Sequence, residues 1–215
     1  MPSLPIHRAG YPWLVSLIVL FIITTGCLIR SAPLIGIIGL IILLGVNGIL
    51  VWFFRDPERN WQGKGDCLVA PADGKVVAMN FGNRKDGSSN LAIYLSLFDV
   101  HVNRLPVSGT VTNRITRNGC FLPAFKHESG KKNASVTLEI ETLHGSVRVK
   151  QIAGILARRI ICTKNRGDLI VQGHRYGIIK FGSRVELLTE KPVQWLVSPG
   201  DRVKGGETLI GKWND

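Results

Sequence analysis

The first 54 residues contain no Asp, Glu or Lys, and Arg8 and Arg30 are their only fully charged side chains. Acidic residues are scarce throughout: 15 Asp and Glu stand against 27 Lys and Arg, a net charge of +12, of which +10 falls after Phe54. A basic excess of that size fits an anionic partner, and beside an apolar segment that partner is anionic lipid rather than nucleic acid. Cysteine is sparse and unpatterned. Cys27, Cys67, Cys120 and Cys162 form no Cys-x-x-Cys pair, which argues against a disulfide framework or a zinc site and for a reducing compartment. Ser183 has no Gly-x-Ser-x-Gly elbow around it, which disfavours a serine hydrolase acting in trans.

What the N-terminus does have is two uncharged runs, Tyr11 to Ile29 and Pro33 to Phe54, each close to the roughly 20 residues that cross a bilayer as a helix. Only Arg30, Ser31 and Ala32 separate them, so the expected structure is a helical hairpin that returns the chain to its starting side. His7 and Arg8 before it, with Arg55 and Arg59 after it, outweigh Arg30 and place that side in the cytoplasm, at the inner membrane. A shallow re-entrant hairpin is the alternative. A cleaved signal peptide is disfavoured, because the second apolar run follows at once.

After Arg55 the texture changes to short runs rich in β-branched residues and punctuated by glycine: Gly74–Met79, Leu91–Ser96, Ser135–Ile140, Ser146–Ile152 and Arg184–Leu188. Their period of two and regular turn residues predict a mostly antiparallel β domain with no long amphipathic helix. Val69–Val76 and Val197–Leu209 look alike and resemble the hairpins of biotinyl and lipoyl carrier domains, although the modifiable lysine of a true carrier is absent. The expected fold class is therefore mainly β: a two-helix transmembrane hairpin, residues 1–54, followed by a compact β domain, residues 55–215, with carrier-like hairpins.

Gly177–Leu187 reads as a strand interrupted by Gly182, which costs backbone entropy and removes a side chain from the sheet. One reason for such a glycine is a bulge or tight corner. Another is that a residue without a side chain before Ser183 lets the hydroxyl reach its own preceding carbonyl, as internal acyl transfer requires. Residue types alone do not choose. Of the five histidines, only His101 lies in an apolar β-like run, where an imidazole is either a satisfied structural group or a base. Asp73, in Pro71-Ala72-Asp73-Gly74, is either a turn residue or a carboxylate for that histidine. Asp99 is its rival, two residues from His101 and on the same face of a strand.

Taken in order, Phe53-Phe54-Arg55-Asp56-Pro57, Ala70-Pro71-Ala72-Asp73-Gly74-Lys75-Val76, Phe98-Asp99-Val100-His101-Val102-Asn103-Arg104, Gln151-Ile152-Ala153-Gly154, Ala157-Arg158-Arg159-Ile160 and Phe181-Gly182-Ser183 resemble the short, membrane-associated class of phosphatidylserine decarboxylase proenzymes. The resemblance runs from residue 53 to the C-terminus. It implies a carboxy-lyase that cuts itself between Gly182 and Ser183, giving a β chain of residues 1–182 and an α chain of residues 183–215 that stay together. Ser183 would become a covalent pyruvoyl group, with no metal or diffusible cofactor. His101 would be the catalytic base, oriented by Asp73. The implied substrate is a phospholipid of the anionic membrane. Arg104 stands where some members carry a second histidine. Phe121–Ala134 departs from the family's acidic-rich loop; there Lys126, Lys131 and Lys132 are candidate lipid-phosphate contacts or simply a solvated loop. The alternatives are another serine-bearing lipid or amino acid as substrate, and a non-enzymatic, membrane-tethered binding protein. Oligomeric state beyond the two chains is left open.

Overall fold

The computed structural model describes residues 6–63, 65–80, 88–124, 128–155, 159–179 and 182–214. The chain divides into two compact units, Met1–Glu58 and Arg59–Asp215.

In the first unit two helices of 21 residues, α1 (Tyr11–Ser31) and α2 (Pro33–Phe53), pack against each other. Each begins with a proline in its first turn, where the missing N–H is harmless. The break between them is narrower than the expected turn of Arg30, Ser31 and Ala32. Arg30 and Ser31 belong to α1, and Ala32 alone leaves the helical region, at φ −155° and ψ 80°. Its neighbour explains this, because the ring of Pro33 clashes with a helical residue before it. The chain returns to its starting end: the His7 N–H donates to the Phe54 carbonyl at 2.8 Å. Gly10 rests on the Phe54 ring, where a Cβ would come within 2.6 Å of Cγ. By length and composition α2 is able to cross a membrane, and Leu34, Ile35, Ile41, Ile42 and Ile49 project from it exposed.

The second unit is built almost entirely of strands: β1 (Cys67–Val69), β2 (Gly74–Met79), β3 (Ser89–Leu95), β4 (Val102–Arg104), β5 (Gly109–Arg117), then the four-residue helix α3 (Ser129–Lys132). β6 (Ser135–Thr142), β7 (Gly145–Ile152), β8 (Ile160–Cys162), β9 (Leu169–Ile170), β10 (Arg175–Ile179), β11 (Ser183–Thr189), β12 (Val193–Trp195), β13 (Arg202–Val203) and β14 (Leu209–Trp213) follow. One sheet has the order β13-β2-β3-β11-β7-β6-β5-β9, and two three-stranded sheets have the orders β1-β14-β12 and β4-β10-β8. The two-residue period of the sequence decides what faces inward. Val185 and Leu187 of β11, Ile93 and Leu95 of β3, Val147 and Val149 of β7, and Leu138 and Ile140 of β6 are all buried, and they join Leu68, Tyr176, Ile179 and Ile210 of the smaller sheets in one core.

Gly177–Leu187 is not one interrupted strand. Its first half is β10, paired with β4 and β8, and its second half is β11, between β3 and β7. Lys180 and Phe181 lie outside the described residues. Gly182 sits on the crossing between sheets at φ +59°, a left-handed conformation that glycine adopts without a side-chain penalty. The two look-alike segments are bonded to each other. Ala70 N–H donates to Thr208 O at 2.9 Å and Gly206 N–H to Ala70 O at 2.8 Å, while Val76 N–H donates to Asp201 O at 2.9 Å and Gly200 N–H to Val76 O at 2.8 Å.

Asn133 latches the segment before β6 to the end of β7. Its buried amide accepts from Leu122 N–H at 2.9 Å and donates to Leu122 O and Ala153 O, both at 2.8 Å. Asn133→Ala strands three main-chain groups, so we expect a loss of about 3 kcal/mol, read as a lower denaturation midpoint of the full-length protein in detergent. An unchanged midpoint would show that the segment is held by other contacts.

Candidate functional site

β11 begins at Ser183, whose partner on β3 is Leu95. Because Val185 and Leu187 face the core, alternation points Ser183 inward as well, and it is fully buried. Among the described residues its hydroxyl has no hydrogen-bond partner. A buried polar group in that condition costs stability, which calls for a reason other than stability for its being there.

His101 enters from the segment just before β4 and is likewise fully buried. Its Nδ1 lies 2.8 Å from the Asp99 carbonyl oxygen, and its Nε2 faces the Gly182 N–H at 3.3 Å. A carbonyl can only accept and an N–H can only donate, so these neighbours assign the tautomer: the proton is on Nδ1 and the lone pair is on Nε2. The basic nitrogen thus faces the residue whose carbonyl forms the peptide bond to Ser183.

That carbonyl is also constrained from the other side. A Cβ at Gly154 would lie 2.2 Å from the Gly182 oxygen, so the close approach exists only because residue 154 is glycine. Gly154 follows β7, the direct neighbour of β11, and Ala153 is fixed in turn by its bonds to Ala134 and Asn133.

The two carboxylates are placed differently from the expectation. Asp73 sits in a tight turn whose next residue, Gly74, has φ +147°. Among the described residues its oxygens accept from Arg59, with Nη2–Oδ2 at 2.9 Å, and from Gly205 N–H at 2.8 Å, rather than from His101. Arg59 also pairs with Glu207 at 3.2 Å. The Asp99 carboxylate caps the turn before it, accepting from Ser96 N–H at 2.8 Å and from Ser96 Oγ at 2.6 Å, and it pairs with Arg202 at 3.3 Å. Only its main-chain oxygen touches the imidazole. The correction has a geometric cause: with the side chain of Asp99 turned back to Ser96, the carbonyl is what remains beside Nδ1.

Lys131 and Lys132 are exposed on α3, with Lys132 bonded to Glu128 at 2.9 Å, and Lys126 and His127 lie outside the described residues, as do Ala157 and Arg158. On the outer face of the large sheet the amine of Lys150 donates to the Gly130 carbonyl, and burial pulls its pKa below the usual lysine range against the opposing pull of Glu186. In the core, burial holds the Tyr176 phenol well above its ordinary range, so it stays neutral. Among the described residues no three His, Cys, Asp or Glu side chains converge as metal ligands.

The sequence alone points to no role for Gly154, Asn103 or Gln151, and Arg59 enters only as a charge that orients the hairpin. Each lies in or near a motif, but their roles depend on contacts between segments far apart in the chain.

The family described as Phosphatidylserine decarboxylase matches residues 46–211. A phosphatidylserine decarboxylase proenzyme of Saccharopolyspora erythraea is 37% identical over 97% of this chain and 88% of its own. One from Chlorobium chlorochromatii is 40% identical over 76% of this chain and 78% of its own. A protein named putative archaetidylserine decarboxylase proenzyme, from Methanococcoides burtonii, is 37% identical over 93% of this chain and 92% of its own. With the matched segment running through His101, Gly154 and Ser183, the chain belongs to the phosphatidylserine decarboxylase family.

Proposed function

We propose that this protein cleaves itself between Gly182 and Ser183, converts Ser183 to a pyruvoyl group, and decarboxylates phosphatidylserine to phosphatidylethanolamine at the membrane. The observation that carries the reading is the buried, unpartnered Ser183 hydroxyl beside a glycine whose N–H meets the basic nitrogen of His101.

His101 Nε2 takes the Ser183 Oγ proton as that oxygen attacks the Gly182 carbonyl carbon. The amide C–N bond breaks and an ester replaces it, with the proton passing to the freed Ser183 nitrogen. Loss of the Ser183 Cα proton then expels Gly182 as a carboxylate. The dehydroalanine that remains adds water and releases ammonia, leaving a ketone at position 183. The Asp99 carbonyl holds the Nδ1 proton, so the lone pair is on Nε2 each time a proton is to be taken up. Gly154 fixes the carbonyl that is attacked. Asp73 acts through Arg59 and Gly205, joining residue 59 to the part of the chain that follows the cut. The residues fit a pyruvoyl group, because its precursor is buried and is preceded by a glycine whose N–H meets a base. That group supplies a carbonyl that condenses with a primary amine and takes up the electron pair left when carbon dioxide departs. His101, at the same place, is the donor that returns a proton to carbon.

Residues 1–54 serve as the membrane anchor, with α1 and α2 as a spanning pair and the basic residues on either side of it holding the β unit at the cytoplasmic face of the inner membrane. The exposed apolar side chains of α2 support this reading. A second substrate class has one specific support: the Methanococcoides burtonii relative is named for archaetidylserine, which shares the serine head group.

Ser183→Ala is expected to remain a single chain and to release no carbon dioxide from phosphatidylserine vesicles. Cleavage with normal activity in this variant would refute the assignment. His101→Gln should slow cleavage by about 10²–10⁴-fold, the usual contribution of a positioned base. Gly154→Ala should slow it about 100-fold by displacing the scissile carbonyl, followed as loss of the full-length band over time; wild-type kinetics would show that Gly154 only makes room. Membrane association should survive 1 M salt, where screening acts within about 3 Å, whereas release into the supernatant would contradict the anchor.

A further inference from the structure

Gln151 and Asn103 are fully buried and belong to different sheets, β7 and β4. They are joined by a hydrogen bond of 2.8 Å from Gln151 Nε2 to Asn103 Oδ1. The other half of each amide, Gln151 Oε1 and Asn103 Nδ2, is buried without a partner among the described residues. Exchanging O and N in both amides does not cure this. One N–H donor and one carbonyl acceptor are left over in either orientation. A pair kept only to tie two sheets together would be replaced at no loss by apolar side chains of the same shape.

The place of the pair is informative. Gln151 is the cross-strand partner of Val185, and Arg184 is the partner of Ile152, so Gln151 and Ser183 are diagonal neighbours on the inner face of one sheet. Asn103 follows His101 by two residues and pairs with Gly177 of β10. The unpartnered hydroxyl of Ser183 therefore belongs to the same buried region as the two leftover amide atoms. The link from β10 to β11 passes through the Gly182–Ser183 bond, which joins the two sheets that the amide pair bridges. That bond is the one the proposed self-cleavage cuts, so the amide pair lies at the cut.

We propose that Asn103 and Gln151 hold the amino-acid head group of the substrate, the leftover N–H donating to its carboxylate and the leftover carbonyl accepting from its amine. This rests on the decarboxylase reading and deepens it. An α-amino acid presents one acceptor and one donor on a single carbon, which matches the pattern of the pair. Neutrality matters as much as geometry. A guanidinium or ammonium would stabilise the carboxylate charge that the reaction must remove and so favour the ground state, whereas an amide orients the carboxylate with little such penalty. Of the nearby cations, Arg104 donates to the Gly173 carbonyl at 3.1 Å and Arg184 pairs with Glu186 at 2.9 Å. Asn103 and Gln151 are positioning residues in this account; His101 and residue 183 do the chemistry.

The test uses the full-length matured protein in detergent micelles. Reductive trapping with cyanoborohydride, read by the mass of the small chain, compares phosphatidylserine with phosphatidylethanolamine, which has the amine and lacks the carboxylate. Wild type should trap both. Asn103→Asp keeps the shape and replaces the donor with an acceptor; Asn103→Ser is the second variant should the first not mature. Either should reduce trapping of phosphatidylserine relative to phosphatidylethanolamine by roughly 10- to 100-fold, with a matching rise in KM and a cleavage extent close to wild type. An unchanged ratio with both variants matured overturns the proposal. So does reduced stability or cleavage in both variants with the ratio preserved among matured molecules, which would make the pair purely structural. Absence of any adduct in wild type would overturn the pyruvoyl reading itself, and the proposal with it.

Discussion

Everything specific about this site depends on one imidazole being gripped at both nitrogens. Asp99 O beside Nδ1 and Gly182 N–H facing Nε2 determine where the proton of His101 resides before any reaction begins. Without the first contact the ring could turn or change tautomer. Without the second, the lone pair would have no fixed relation to the Gly182–Ser183 bond. Both contacts come from main chain, so they are as rigid as the backbone that supplies them. That rigidity traces to ordinary packing: the Asp99 turn is capped by its own carboxylate on Ser96, and β11 is paired with β3 from Ser183 onward and with β7 from Arg184 onward.

The same packing would keep the chain assembled after the proposed cut beside the buried serine. Residues 183–215 contribute β11 to the middle of the large sheet and β14 to the middle of a small one. Leaving would strip paired strands from both sheets. Asp73 adds a polar tie from the other side, since its carboxylate binds Gly205 N–H and the Arg59 that reaches Glu207. A residue with the sequence signature of a turn thus ends up bridging what would become two polypeptides.

Much of the architecture was legible in the residues. The uncharged runs before Arg55 correspond to α1 and α2, Gly74–Met79 to β2, and Ser146–Ile152 to nearly all of β7, because apolar periodicity is a local property. His101 stood out as the one histidine in an apolar run. What was not legible is set by contacts across the fold. A main-chain carbonyl has no side-chain signature, so Asp73 and Asp99 both looked like the orienting group when the Asp99 backbone was the partner beside Nδ1. Gly177–Leu187 reads as one strand because its halves share a composition, and only pairing shows that they lie in different sheets. Gly154 is an ordinary glycine until the Gly182 oxygen is seen against it.

If the contact between His101 and Gly182 marks a bond that breaks, intact-mass measurement of the purified wild-type protein under denaturing conditions should give two species, residues 1–182 with a free carboxylate and residues 183–215 lighter by one ammonia than the serine-ended chain. A single species of full-length mass in a preparation active on phosphatidylserine would contradict it.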